Sequence, residues 1–339
     1  MKFFLVRIGS CFVMLLFFFY FASKKSNIPF NKPTIAENEE IYIPHLKSER
    51  KNYFKDSEAE TIWVDSIYNS LSLDEKLGQI FMIPAYSNKD SVHVNAVKKL
   101  IQEHKVGGII FFQGGPIRQA NLTNYFQSKS KTPLFIGVDA EWGLSMRLDS
   151  THIHPWNMTL GAVQDLKLIE NVGEAMGKES KRLGVHFNFA PVLDINTNPK
   201  NPVIGFRSFG ESKVNVSDRA IALMKGFQSQ GVFSTGKHFP GHGDTSVDSH
   251  KALPLVSHSK EHIDLVELYP YKRMFDEGLV SVMVGHLNIP SLDPRPNYPT
   301  SISQSIVTEL LQNEMQFEGL IFTDAMNMKG VTKYFRNGE

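Results

Sequence analysis

After residue 78 the chain repeats one pattern: a short apolar run, a polar or glycine-rich turn, then an amphipathic stretch. The runs are Gln79–Pro84, Val106–Phe112, Pro133–Val138, Val185–Leu193, Val232–Lys237, Leu279–Val284 and Gly319–Thr323. Apolar runs this short and this continuous predict strands covered on both faces. Between them, Leu166–Arg182, Val216–Gln230, Glu261–Glu277 and Ile302–Met315 carry helical periodicity. Strands alternating with helices predict an α/β fold with a parallel sheet. Seven such runs suit an eight-stranded (β/α)8 TIM-type barrel better than an open sheet. Polar residues follow the runs around the whole ring: Asp139 and Glu141, Asp194, Lys237 and His238, His286, and Asp324. A doubly wound sheet would gather its ligand groups at one switch point, whereas a barrel spreads them over the strand ends.

No apolar run follows Asp324 in this sequence, so the barrel is expected to be truncated before its last strand, with a further C-terminal domain in the full-length protein. Upstream of the barrel, Trp63, Ile67 and Leu71 recur at helical spacing, and Ser72-Leu73-Asp74-Glu75 has the form of a capping box. Residues 23–57 are polar and without sustained period, and are expected to form a tether. Residues 1–22 place Lys2 and Arg7 before the apolar run Ile8–Ala22. That is the layout of a signal peptide, or of an N-terminal membrane anchor if uncleaved. The run falls short of the roughly 20 residues that span a bilayer. The expected organisation is therefore a leader at 1–22, a tether at 23–57 and a barrel domain at 58–339, exported to the periplasm or anchored facing it.

Composition narrows the function. Of 339 residues, 42% are hydrophobic and 21% charged, a globular balance. Lys plus Arg is 36 against 35 for Asp plus Glu, so no net field favours nucleic acid. The single cysteine, Cys11, lies in the leader, which excludes disulfides, a thiol nucleophile and cysteine-ligated zinc from the rest of the chain. Neither a Gly-x-Ser-x-Gly elbow nor a Gly-Lys-Ser/Thr phosphate loop is present.

The richest stretch runs from Lys237 to His250: Lys-His-Phe-Pro-Gly-His-Gly-Asp-Thr-Ser-Val-Asp-Ser-His. His238 and His242 are four apart, but Pro240, Gly241 and Gly243 argue against the helix that would aim both at one zinc. The stretch fits a solvated turn, or a mobile loop whose Asp248 orients His250 as a general acid and base. Asp324, at the end of its apolar run, fits either a helix N-cap or a nucleophile.

Taken together, these motifs resemble the β-N-acetylhexosaminidase branch of glycoside hydrolase family 3. The resemblance rests on Lys237–Gly243 with Asp248-Ser249-His250, on Phe322-Thr323-Asp324-Ala325-Met326-Asn327-Met328, on Gly137–Glu141, on Asn188–Asp194 and on Arg207–Gly210. It implies a retaining glycosidase that releases terminal N-acetyl-β-D-glucosamine from small glycans, such as peptidoglycan fragments or chito-oligosaccharides. It implies Asp324 as nucleophile, His250 as acid/base and Asp248 as its partner. Asp139, Arg147, Arg207, Lys237 and His238 match the family's sugar-binding positions, and no metal or cofactor is implied. Trp142 and Ala325 depart from the usual pattern, and Trp142 is expected simply to pack its loop. A β-glucosidase or an N-acetylglucosaminide phosphorylase of the same family, and a non-catalytic glycan-binding fragment, remain as alternatives.

Overall fold

A computed structural model describes residues 42–45, 50, 58–249 and 251–336. The apolar leader, most of the expected tether and His250 lie outside the described residues. Each predicted run overlaps a strand, with β1 running one residue and β5 two residues beyond the run: β1 Met82–Ala85, β2 Gly108–Phe111, β3 Phe135–Val138, β4 Phe187–Asn188, β5 Phe233–Phe239, β6 Ser281–Val284 and β7 Leu320–Thr323. They form one seven-stranded sheet in chain order, with every neighbouring pair parallel. Phe187 and Phe189, at and just after β4, meet Phe322 of β7 with ring centroids 5.4 and 5.2 Å apart. Strands three places apart in the sheet touch in this way only because the sheet curls, and the result is a half-barrel.

The helices are α1 Glu58–Ser70, α2 Leu73–Gln79, α3 Ser91–His104, α4 Pro116–Gln127, α5 Asn157–Gly161, α6 Leu166–Arg182, α7 Lys213–Ser229, α8 Lys260–Leu265, α9 Tyr269–Asp276 and α10 Lys329–Thr332. A π-helix spans Ser305–Glu314. Local chemistry sets several of the starts. Ser72 and Glu75 complete the capping box of α2, each side chain bonding the other's backbone N–H at 3.2 and 3.0 Å. Asp90, Asp165 and Ser212 accept from the first-turn N–H groups of α3, α6 and α7.

Two apolar cores lie behind the sheet. One collects Ile109, Ile136 and Val138 with Ile101 of α3 and Phe126 of α4. The larger gathers Val282 and Val284 with Ile169, Leu223, Phe227 and Met274 from α6, α7 and α9. The α6–α7 crossing depends on glycine, since a Cβ on Gly226 would stand 2.2 Å from the Glu170 carbonyl oxygen. The residues described within 42–50 bind this larger half. Tyr42 Oη donates to Asp276 at 2.5 Å, His45 N at 2.9 Å and Arg50 Nε at 3.1 Å.

Candidate active site

The strand ends bring five of the predicted site residues into one charged network. Asp139 follows β3; its Oδ1 accepts from Lys237 Nζ at 2.8 Å and its Oδ2 from Arg147 Nη2 at 2.7 Å. Lys237 lies inside β5 and also meets Glu141 Oε1 at 2.8 Å. Glu141 takes a two-pronged contact from Arg207, through Nε at 2.9 Å and Nη2 at 2.8 Å, the strong planar geometry for guanidinium and carboxylate. His238 completes the set, with Nε2 3.3 Å from Arg207 Nη2 and Nδ1 2.7 Å from Asp194 Oδ2. An arginine can only donate, so Nε2 accepts and Nδ1 carries the hydrogen given to Asp194.

The backbone around these groups explains why they converge. Asn188 of β4 exchanges hydrogen bonds with the Ala140 backbone at 3.0 and 3.1 Å, fixing the segment between Asp139 and Glu141. Gly143, at φ +87°, turns the chain tightly against His154, and a short 3-10 turn Leu144–Met146 then delivers Arg147. Asn157 holds the Arg207 carbonyl at 2.7 Å. Asp194 also accepts from the backbone N–H of His242 at 2.7 Å, binding the loop after β5 to the segment that follows β4.

Electrostatics keep this network ionised. Burial raises the Asp139 and Glu141 carboxyls, but Lys237 with Arg147 outweighs it at Asp139, and Arg207 with Lys237 at Glu141, so both sit below the usual carboxylate range. The same partners overcome burial at Lys237 and Arg207 and raise both cations. Asp194 is held low against its burial by the His238 ring. Burial pushes His242 down to about 4, and its Nδ1 meets Thr245 Oγ1 at 2.6 Å. A preorganised cluster of donors and ionised acceptors, opening at strand ends, is suited to holding a polyhydroxylated ligand.

Asp324 stands at the end of β7, half-buried. Its N–H donates to the Val284 carbonyl at 2.9 Å and its Oδ1 accepts from Ala325 N at 2.7 Å. Buried His286, just past β6, fixes the next residue through Nε2 and the Ala325 carbonyl at 3.1 Å, while its Nδ1 meets Ser301 Oγ at 2.7 Å. Asp248 is half-buried on the loop after β5, its carbonyl accepting from the N–H groups of Lys251 and Ala252 at 2.9 and 3.1 Å. The proposed partner His250 lies outside the described residues.

Glu141, Asp194 and His286 emerge as positioning groups that the sequence marked only as polar residues after strands. Both ring nitrogens of His238 are engaged, which removes it from any pairing with His242 on a metal. Among the described residues, His258, His262 and Glu267 could share a cation, their ligand atoms lying within 4.8 Å of one another. A hollow of about 430 Å3 lined by Ile117, Leu144, His152 and Glu179 shares no residue with the charged network.

The family model described as "Glycosyl hydrolase family 3 N terminal domain" matches residues 72–339. The chain is 36% identical over 262 residues to a beta-hexosaminidase A of Pseudoalteromonas piscicida, covering 70% of this chain and 44% of that one. It is 35% identical to a beta-hexosaminidase of Nitrosomonas eutropha, covering 68% of both. A solved family 3 beta-N-acetylglucosaminidase from a Paenibacillus species superposes with a TM-score of 0.73 at 37% identity, over 78% of this chain and 51% of that one. A beta-glucoside phosphorylase superposes with a TM-score of 0.78 at 27% identity, over 82% and 51%. The chain thus spans about half the length of several relatives it matches. With motifs, half-barrel and strand-end network in agreement, the chain belongs to glycosyl hydrolase family 3 and carries that family's N-terminal domain.

Proposed function

We propose that this protein is a retaining β-N-acetylhexosaminidase acting on small glycans that end in N-acetylglucosamine. The observation that carries this reading is the rim itself. Asp139, Lys237, Arg147, Glu141 and Arg207 interlock within β5 and on the segments that follow β3 and β4, and Asp324 stands at the same end of β7. The network would grip the hydroxyls of the terminal sugar. Asp324 would then attack the anomeric carbon while the glycosidic C–O bond breaks and His250, held by Asp248, protonates the departing oxygen. Water, giving its proton to His250, would release the sugar from Asp324 and restore both groups.

The matched hexosaminidases support the acetamido preference, and the basic, apolar leader supports export toward the periplasm, where peptidoglycan fragments are one source of substrate. The phosphorylase neighbour favours a second reading, in which inorganic phosphate replaces water in the second half-reaction. The test is turnover of chromogenic N-acetyl-β-glucosaminide and β-glucoside by wild type and Asp324→Asn, with and without phosphate. Selective release from the acetamido sugar should fall at least about a thousandfold in Asp324→Asn, a loss of roughly 4 kcal/mol in transition-state stabilisation. Equal turnover by Asp324→Asn would sink the assignment. Appearance of a sugar 1-phosphate only when phosphate is present would select phosphorolysis.

A further inference from the structure

Beside the loop that follows β5, three side chains converge that the charged network does not use. His258, His262 and Glu267 each place a ligand atom within 4.8 Å of the others. Local structure brings them together from one short stretch of chain. Ser259 caps α8, its Oγ accepting from His262 N at 3.2 Å, so His258, just before the cap, lies one turn from His262. The two rings stack, with centroids 3.9 Å apart and planes 21° apart. Val266 N donates to the His262 carbonyl at 2.9 Å as α8 ends, and the next residue is Glu267, its Oε1 3.6 Å from His262 Nε2.

Hydrogen bonding leaves this cluster incomplete. Glu267 is only 6% exposed, yet its Oε2 has no hydrogen-bond partner among the described residues. Its Oε1 is too far from His262 Nε2 for a hydrogen bond. A buried carboxylate left in that state is costly, and a cation is the partner that two imidazoles and a carboxylate hold together. Two imidazolium rings stacked at 3.9 Å would repel, so at least one ring is neutral and has a lone pair to give. His258 is prepared further. Its Nε2 lies 2.6 Å from Asp244 Oδ2, which accepts, so Nε2 carries the hydrogen and the lone pair of the neutral ring falls on Nδ1. A carboxylate on the far nitrogen of a ligating histidine orients the ring and raises its basicity.

We propose that His258, His262 and Glu267 bind a divalent transition-metal ion of the zinc class, with Asp244 as the outer partner of His258. Two imidazoles and one carboxylate favour zinc over magnesium and calcium, whose sites are built of oxygen. The rings turn from stacking to convergence as the ion enters. Ligand separations of up to 4.8 Å then close toward the roughly 3.4 Å between donors of a tetrahedral zinc. His262, 41% exposed, has room for that turn. The ion fastens a loop. Glu267 packs directly against Gly241, where a Cβ would stand 2.6 Å from its Cγ, and Asp244 lies on the same loop, four residues before Asp248. Metal binding therefore ties the foot of that loop to α8.

The test is calorimetric titration of the metal-free full chain with zinc chloride. No sugar is present, so the outcome is independent of the glycosidase reading. Wild type should bind zinc, and His262→Ala and Glu267→Gln should each bind one ion fewer. Asp244→Asn, which removes only the outer partner, should weaken that ion about tenfold. Magnesium and calcium at equal concentration should not displace it. Zinc should also raise the Tm of wild type by more than that of Glu267→Gln. Circular dichroism checks the fold of each variant, and the exposure of His262 lets His262→Ala decide alone if Glu267→Gln does not fold. No zinc binding by wild type would overturn the site, as would unchanged stoichiometry and affinity in His262→Ala. Loss of the ion in Asp248→Asn with retention in His262→Ala would assign it to Asp248 and His250 instead, and would overturn the proposal equally.

Discussion

At the scale of single residues, the site is held by charges that cannot be removed one at a time. Lys237 is buried between Asp139 and Glu141 at 2.8 Å from each. Lys237→Met leaves two buried carboxylates with one partner fewer, and the loss of such a partner costs about 3–5 kcal/mol. Denaturant unfolding should show that loss even where no substrate is present. A different carboxyl produces an opposite pH response. Burial, aided by Asp244, pushes Glu267 up from 4.5 to about 8. Between those values the folded protein keeps a proton that the unfolded chain has released, so this group makes stability fall as pH rises through the window. Glu267→Gln should flatten the dependence of Tm on pH between about 5 and 8, relative to wild type. Unchanged slopes would show that His262 Nε2, 3.6 Å from Glu267 Oε1, keeps the carboxylate ionised. Asp139, Arg147, Arg207, Lys237 and His238 were legible through motifs of adjacent residues. The positioning roles of Asp194 and Glu141 were not, because their partners His238 and Arg207 lie 44 and 66 residues away along the chain.

At the scale of elements, the strands were legible because apolar continuity reports burial on both faces. Their lengths were less so. The run Val185–Leu193 contains only Phe187–Asn188 as strand, since Phe189 through Leu193 stay buried after the ladder ends. The predicted helix Glu261–Glu277 divides into α8 and α9, with Pro270 placed in the first turn of α9, where its missing N–H is harmless. The expected helix around Trp63 forms as α1, yet Ile62, Trp63, Val64 and Tyr68 remain exposed, so its apolar side lies outside the core. Helical period records which residues share a face, not what covers that face. The α6–α7 crossing carries its own prediction. Gly226→Ala puts a methyl group 2.2 Å from the Glu170 carbonyl oxygen, and the two backbones must part to admit it. Overpacking of this kind costs about 1–3 kcal/mol, outweighing the gain in helix propensity of about 1 kcal/mol, and thermal melting should register the net loss.

At the scale of the whole molecule, sequential parallel strands and a curled sheet put every loop that follows a strand on one rim, which is why residues from 139 to 324 can serve one ligand. The opposite requirement is that the outer layer be held in place, and Arg50 contributes there from the segment that precedes α1 in the chain. Its Nε meets Asp276 Oδ1 at 3.1 Å, and its Nη1 donates to the carbonyls of Met315 and Gln316, each at 3.1 Å. One guanidinium thereby ties the end of α9 to the C-terminal end of the π-helix Ser305–Glu314, satisfying carbonyls that a helix end leaves without intrahelical partners. Asp276 is almost fully buried, so removing Arg50 leaves its carboxylate with only Tyr42 and His45 as described partners. Arg50→Ala should therefore destabilise the fold by about 2–4 kcal/mol. It should also speed proteolytic cleavage near Tyr42–His45, while leaving the KM for a monosaccharide substrate unchanged, because the contact is remote from the Asp139–Lys237 network. Asp276→Asn separates charge from hydrogen bonding. If it restores stability in the Arg50→Ala background, the burden lies in the uncompensated charge; if it does not, the two carbonyl contacts at Met315 and Gln316 carry the coupling.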